Sequence, residues 1–415
     1  MSLIRNFEPF DLLTFSKTVE TPCYIYSEKR IRENIRNLKA AASPFFSDFR
    51  LQYAIKANSN PHILKIIAEE EIGADCSSPV EMKLAKRVGF DMKKSTYTGN
   101  FETSSDFKVA LDTGCVLNLD DHRRLKDVLA FGTPEVLSVR INPGVGRGSH
   151  AGVVTGGKDG KFGIPHEETG TAYKACVDAG IKRLGIHMMT GSNNLDDSYF
   201  AEITELLFDI IKKHISPLNI PLEFINIGGG LGVPYKKGEN ELNIKSLFSS
   251  VSDVFKKRLP ELNIGTPKLA MEPGRYVVAD AGILLTKIHH IKKSYKNFVG
   301  VDGGMTTMVR PAMYQSYHPV TQLESKSGEA GEYWICGQIC ENTDVYPEAR
   351  KLVNPQVGDV LAIENSGAYG HVMSSNYNHR PRPAEYLLKE DMSILKIRDA
   401  DNEADLFLKY PDFKW

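Results

Sequence analysis

Lys56 closes an apolar run in YAIKANSN. A lysine at the end of a buried strand is costly unless it is solvated, paired or used chemically. Desolvation lowers its pKa and makes it a nucleophilic amine able to form a Schiff base. A lysine that snorkels to the surface gives the same local pattern. Gly228-Gly229-Gly230 follow the apolar FINI, and consecutive glycines let backbone N–H groups come close to an anion or simply make a tight turn. Pro234 and the glycine spacing exclude a Walker A loop and a dinucleotide GxGxxG loop. Glu272 lies just before Pro273-Gly274-Arg275. A carboxylate at that depth needs a cationic or N–H partner: either Arg275, or a protonated ring nitrogen with Arg275 left for an anion. Ser192, in TGSNN, suits a phosphate or a turn. Arg310 and Tyr314, in RPAMY, suit a carboxylate clamp. Cys340, in CENTD, suits a proton donor near a reacting carbon. Together these types describe a site for pyridoxal phosphate and a carboxylate-bearing amine.

The elements that must position them alternate. Ser27 can cap a helix with Ile31, Ile35 and Leu38 on one face. A strand follows at 49–55, then a helix through NPHILKIIAEEEIG, with Gly73 as its stop. Ser78, Pro79 and Glu81 form a capping box, and Gly89 ends that helix. Strands are expected at 96–100, 116–119, 136–143, 183–190, 224–230 and 268–275, with helical runs such as YFAEITELLFDIIKKH between them. Strands alternating with helices over this length predict an α/β fold with a parallel, eight-stranded (β/α)8 TIM-like barrel. Most of the chemical residues fall just after those strands, on the face where barrel loops collect a site. After about residue 280, GILLTKIHHI, GEYWICGQIC and GDVLAIENSGAY predict a mostly-β domain.

The 415 residues suggest two or three domains, and the formal net charge of -1 leaves no basic footprint for nucleic acid. No apolar run approaches a membrane span of about 18 residues. The N-terminal MSLIRNFEPFDLLTF lacks the apolar core of a secretory signal. The six cysteines read as reduced thiols of a cytoplasmic protein, with no second close pair to complete a zinc site.

The ordered motifs TPCYIY, YAIKAN, RINPG, TGGKDGKFGI, NIGGGLGVPY, EPGR, DGGM with RPAMY, CENTD and GAYGHVMSSNYNHRPRPAE resemble the barrel-type (fold type III) pyridoxal-phosphate decarboxylases through nearly the whole chain. The resemblance implies an alanine-racemase-like architecture. Residues 1–30 would join the β domain, 31–280 would form the cofactor-binding barrel, and 281–415 the C-terminal β-rich domain. It implies a homodimer whose sites are shared across the interface. Lys56 would be the Schiff-base lysine. Asp75, Ser192, Gly228, Gly229, Gly230, Gly274, Arg275 and Tyr369 would surround the cofactor, and Glu272 would pair with its pyridine nitrogen. Arg275, Arg310, Tyr314 and Tyr369 would meet the substrate. Cys340 and Glu341 would come from the partner subunit, Cys340 at the reacting carbon and Glu341 at the distal ammonium.

Within that family the motifs fit the branch that converts meso-2,6-diaminopimelate to L-lysine. A same-fold decarboxylase of ornithine, a polyamine precursor or a carrier-bound glutamyl group, and a non-catalytic homologue, are the alternatives. Three positions depart from the family pattern. Met189 stands where a ring-stacking histidine is usual, Asn342 where serine is common, and Tyr276 is more like the ornithine branch.

Overall fold

The structure, a computed structural model, describes residues 3–146 and 156–412, so Thr155, which opens the TGGKDGKFGI motif, lies outside the described residues. The chain divides into two compact units: Met1–Ile31, Pro234–Glu239 and Val278–Trp415 form one, and Arg32–Val233 with Asn240–Val277 form the other.

The second unit is a closed barrel. Its eight parallel strands are Arg50–Ala54, Gly73–Cys76, Thr96–Tyr97, Val116–Leu119, Leu137–Asn142, Leu184–Met188, Leu222–Asn226 and Lys268–Met271. Each pairs with the next, and the last closes on the first through Met271 opposite Leu51. The strands are nearly continuous buried runs, as a parallel sheet covered by helices requires. Towards the strand starts the interior is filled by Phe224, with the Arg50 guanidinium 4.7 Å from its ring centroid. That ring occupies the space a side chain at Gly185 would need.

Helix boundaries follow local chemistry. Ser78 caps Pro79–Val88 by accepting the Glu81 N–H at 3.2 Å, and Gly89 ends the helix at φ 106°. The expected box is offset by one residue, because the Glu81 carboxylate accepts the N–H of Ser77 rather than of Ser78. The helix Pro61–Glu69 stops four residues before Gly73. Gly73 is instead the first residue of the second barrel strand. A Cβ there would run into the backbone carbonyl of Lys94, so the glycine answers to close approach and not to helix termination. The strands expected at 224–230 and 268–275 end at Asn226 and Met271. Gly228 and Gly230, at φ 76° and 90°, turn the first of these out of the extended conformation.

The first unit is a nine-stranded sheet. Its central path runs Asn297–Val301, Gly282–Lys293, Cys23–Ser27, Ala384–Leu388 and Ile394–Arg398. The strand Cys23–Ser27 lies antiparallel to Gly282–Lys293 and parallel to Ala384–Leu388. Its core gathers Phe7, Leu12, Phe15, Ile25, Leu285 and Tyr386, so the opening residues pack inside the β unit. The α/β barrel with a mostly-β partner is the fold class the sequence predicts.

Gly73→Ala is expected to destabilise the protein by about 1–3 kcal/mol, because the added methyl meets a backbone carbonyl that no side-chain rotation can clear. Urea unfolding of the variant beside wild type measures it, and an unchanged midpoint contradicts the packing described.

Candidate active site

The C-terminal ends of the barrel strands bring together a lysine and two buried carboxylates. Lys56 sits in a single helical turn immediately after the first strand. Its Nζ lies 2.5 Å from Asp75 Oδ2, its side chain 47% exposed and that of Asp75 only 2%. The amine therefore reaches open space while its counter-ion is sealed beneath it. The other carboxylate oxygen of Asp75 is buried without a hydrogen-bond partner among the described residues. Burial raises the Asp75 pKa, Lys56 opposes that shift, and the nearby Glu272 adds to it.

Glu272 follows the eighth strand and is 7% exposed. One oxygen lies 3.1 Å from His187 Nε2, and the other accepts the Asn226 Nδ2–H at 2.7 Å. Burial pushes its pKa up. His187 beside it, Lys56 and the Asn226 hydrogen bond together outweigh that, so the carboxyl is held below the usual range and stays ionised. Asn226 also accepts the Gly228 N–H at 2.8 Å, and Glu272 N–H donates to the Gly228 carbonyl at 2.9 Å. One asparagine thus ties the carboxylate to the glycine turn.

That turn is packed to the limit. A Cβ at Gly229 would press on the Glu272 carbonyl, and one at Gly230 would come within 2.9 Å of the Gly191 carbonyl. Met189 takes part directly: its Sδ accepts the Gly229 N–H at 3.2 Å. Gly274 rests on the methyls of Ala54 and Ala57, where a Cβ would lie about 3 Å from each. Arg275 Nη2 donates to Ser192 Oγ at 3.3 Å. Lys56, Asp75, Ser192, Gly228 to Gly230, Glu272, Gly274 and Arg275 therefore share the strand-end face of one barrel.

The β unit holds the remaining candidates. Arg310 opens the short helix Arg310–Tyr314 and is 5% exposed. Its guanidinium donates to the Tyr235 hydroxyl at 2.8 Å and to Ser316 Oγ at 3.4 Å. No carboxylate lies within ion-pair distance of it among the described residues. A buried cation held only by neutral hydroxyls is suited to receive an anion. Tyr314 is half-buried, and Tyr369 sits at φ 56° in the segment after Ile363. Cys340 is exposed, with its Sγ 3.1 Å from Asn378 Nδ2. Glu341 is half-buried and held below the usual carboxylate range by the backbone N–H and hydroxyl of Thr343. Asp344 accepts the N–H of Met305 at 2.6 Å and of Ile339 at 3.1 Å, which pins the loop that carries Cys340 and Glu341.

Reasoning from the residues did not single out His187, Asn226 or Tyr235. Asn226 left a signal, since it is a polar residue at the end of the apolar LEFIN strand and just before the glycine turn. The residues fit pyridoxal phosphate on three counts. A reachable amine faces open space, a buried carboxylate is held ionised for a ring N–H⁺, and a glycine turn is packed so closely that only backbone can occupy it.

Comparison with known proteins agrees. Residues 28–279 match the family model described as pyridoxal-dependent decarboxylase, pyridoxal binding domain. A diaminopimelate decarboxylase from Methanothermobacter thermautotrophicus is 41% identical over 399 residues, covering 95% of this chain and 93% of that protein. The crystal structure of diaminopimelate decarboxylase from Methanocaldococcus jannaschii superposes with a TM-score of 0.89 at 34% identity, covering 97% of this chain and 94% of that one. The Helicobacter pylori diaminopimelate decarboxylase, solved in complex with L-lysine, gives a TM-score of 0.87 at 30% identity, covering 95% and 98%.

The depressed Glu272 pKa has a signed consequence. A carboxyl whose folded pKa lies below its unfolded value contributes stability that is fully present above about pH 4.3 and is lost as the pH falls below it. The stability difference between wild type and Glu272→Gln, from urea unfolding, should be constant between pH 8 and 6 and should shift against wild type as the pH falls from 5 to 3. A shift in favour of wild type over that range would mean that Glu272 is buried as the neutral acid.

Proposed function

This chain belongs to the pyridoxal-dependent decarboxylases, and on that premise we propose that it removes the carboxylate at one end of meso-2,6-diaminopimelate to give L-lysine and carbon dioxide, the last step of lysine biosynthesis. Bound pyridoxal phosphate supplies the electron sink for the bond that breaks.

The chain's own residues do the rest. Lys56 offers the amine for covalent attachment, and Asp75 holds it at the mouth of the barrel. Glu272, fixed by His187 and Asn226, keeps a proton on the pyridine nitrogen. Ser192, Gly228 to Gly230, Gly274, Arg275 and Tyr369 hold the phosphate, which anchors and does no chemistry. Arg275, Arg310, Tyr314 and Tyr369 engage the substrate, with the arginines on its distal carboxylate. Cys340 returns a proton to the reacting carbon and Glu341 meets the distal ammonium, both from the partner subunit of a homodimer with shared sites. We assign the protein to the cytoplasm; among the described residues no helix is long and apolar enough to cross a membrane.

The observation that carries this reading is the ionised, doubly held Glu272 on the same strand-end face as the Lys56 amine. The buried Arg310, which has no carboxylate of its own among the described residues, favours a substrate with a distal carboxylate over ornithine or a polyamine precursor.

Purified holoenzyme should release carbon dioxide and L-lysine from meso-diaminopimelate, and not from the LL or DD isomers or from ornithine. Lys56→Ala should abolish turnover, and borohydride reduction with peptide mapping should place the cofactor mass on Lys56 in wild type. Cys340→Ala should lower kcat by about 10²–10⁴-fold, the usual range for a lost acid. Turnover of Lys56→Ala near the wild-type rate would overturn the assignment.

A further inference from the structure

Arg310 is fixed in a way that its role as a carboxylate clamp does not by itself require. Its Nη1 donates to the Tyr235 hydroxyl at 2.8 Å, and the guanidinium carbon lies 5.2 Å from the centroid of the same ring. One tyrosine therefore holds the cation by its edge and along its face. Tyr235 is itself held on several sides. Its ring packs edge-on against His318 at 5.1 Å, and His318 is fully buried with Nδ1 2.9 Å from the Glu364 carbonyl. The backbone before it is tied by Asn365, whose Nδ2 donates to the Pro234 carbonyl at 2.9 Å. Its own N–H donates to Glu239 at 2.7 Å. The other side-chain hydrogen bond of the Arg310 guanidinium, to Ser316 Oγ, is long at 3.4 Å.

We infer that Tyr235 is a positioning residue for the substrate's distal carboxylate: it sets the plane of the Arg310 guanidinium so that the remaining N–H edge meets that carboxylate as a pair. The inference rests on the proposed substrate and on Arg310 as the carboxylate clamp. The physical ground is the choice of partner. A carboxylate in place of the phenol would orient Arg310 equally well, but it would neutralise the cation and compete with the ligand. A neutral hydroxyl orients the guanidinium and leaves its charge for the substrate. Phenylalanine at 235 keeps the ring, its face contact and its packing on His318, and removes the hydroxyl that accepts from Arg310. The guanidinium then loses its in-plane anchor, and the two-point fit to a carboxylate loses its preorganisation.

L-Lysine keeps the distal carboxylate of the proposed substrate, and 1,5-diaminopentane lacks it, so the two ligands isolate this contact without turnover. Titration calorimetry of holoenzyme should show Tyr235→Phe weakening L-lysine about tenfold, the size of one hydrogen bond to a charged group. The affinity for 1,5-diaminopentane should change less than twofold. In kinetics, KM for meso-diaminopimelate should rise by a similar factor while kcat falls less than threefold. Equal weakening of both ligands, no change in either, or a Tyr235→Phe protein that fails to fold would overturn the inference, since each makes Tyr235 a packing residue or an idle one. Arg310→Gln separates the two levels. If it leaves L-lysine affinity unchanged, the carboxylate clamp itself fails. If it weakens L-lysine while Tyr235→Phe does not, the clamp stands and only the role of Tyr235 falls.

Discussion

The barrel site depends on keeping a fully enclosed carboxylate charged. An ionised acid removed from water costs several kcal/mol unless its oxygens are occupied. Glu272 meets that condition with His187 on one oxygen and Asn226 on the other. His187 and Asn226 lie on the sixth and seventh strands and Glu272 just past the end of the eighth, so the requirement spans adjacent staves of the barrel. Asn226 extends it into the glycine turn by holding the Gly228 N–H. The geometry of the turn and the charge state of the acid are thus one constraint, and a change at either would be felt by the other.

The β unit solves the opposite problem. Its Arg310 is as enclosed as Glu272, yet the partners supplied are uncharged. Other low-exposure cations in this protein are met by an acid, as Arg32 is by Glu69 and Glu70 and Arg258 by Glu205 and Asp209, or by backbone carbonyls, as Arg350 is by those of Pro347, Glu348 and His318. Among the described residues, Arg310 is met by two side-chain hydroxyls and the face of the Tyr235 ring, which leaves its charge uncompensated by any carboxylate of the chain, the condition the proposed clamp needs. Lys56 lies between these cases, paired with a buried acid but half-exposed at its own end.

Much of the fold was legible because each barrel strand is a short buried run bounded by turn residues, and because Ser78 and Gly89 act through neighbours only a few positions away. Gly73 was misread for a reason that is itself local. A glycine signals both the end of a helix and a close backbone approach, and the Lys94 carbonyl that decides between them lies on another element. The site divides the same way. Lys56, Glu272 and the glycine run stand out because each is chemically unusual where it sits. Asn226 and His187 matter only through contact with Glu272, 46 and 85 residues away. Tyr235 matters only through Arg310, 75 residues on. No spacing rule connects such pairs.

The strand Cys23–Ser27 carries a consequence for how the protein is made. It lies inside the β sheet, with Cys23 opposite Leu285 on one side and Ala384 on the other. During synthesis it emerges early, and both neighbours emerge after the whole barrel. The ribosome therefore delivers a barrel able to close while a strand whose five residues all end up buried waits unpaired, with its hydrogen-bonding edges open to other chains. Formation of the β sheet is bound to be the late, high-contact-order event, and crowded nascent chains would be most prone to exchange or aggregate through this one segment.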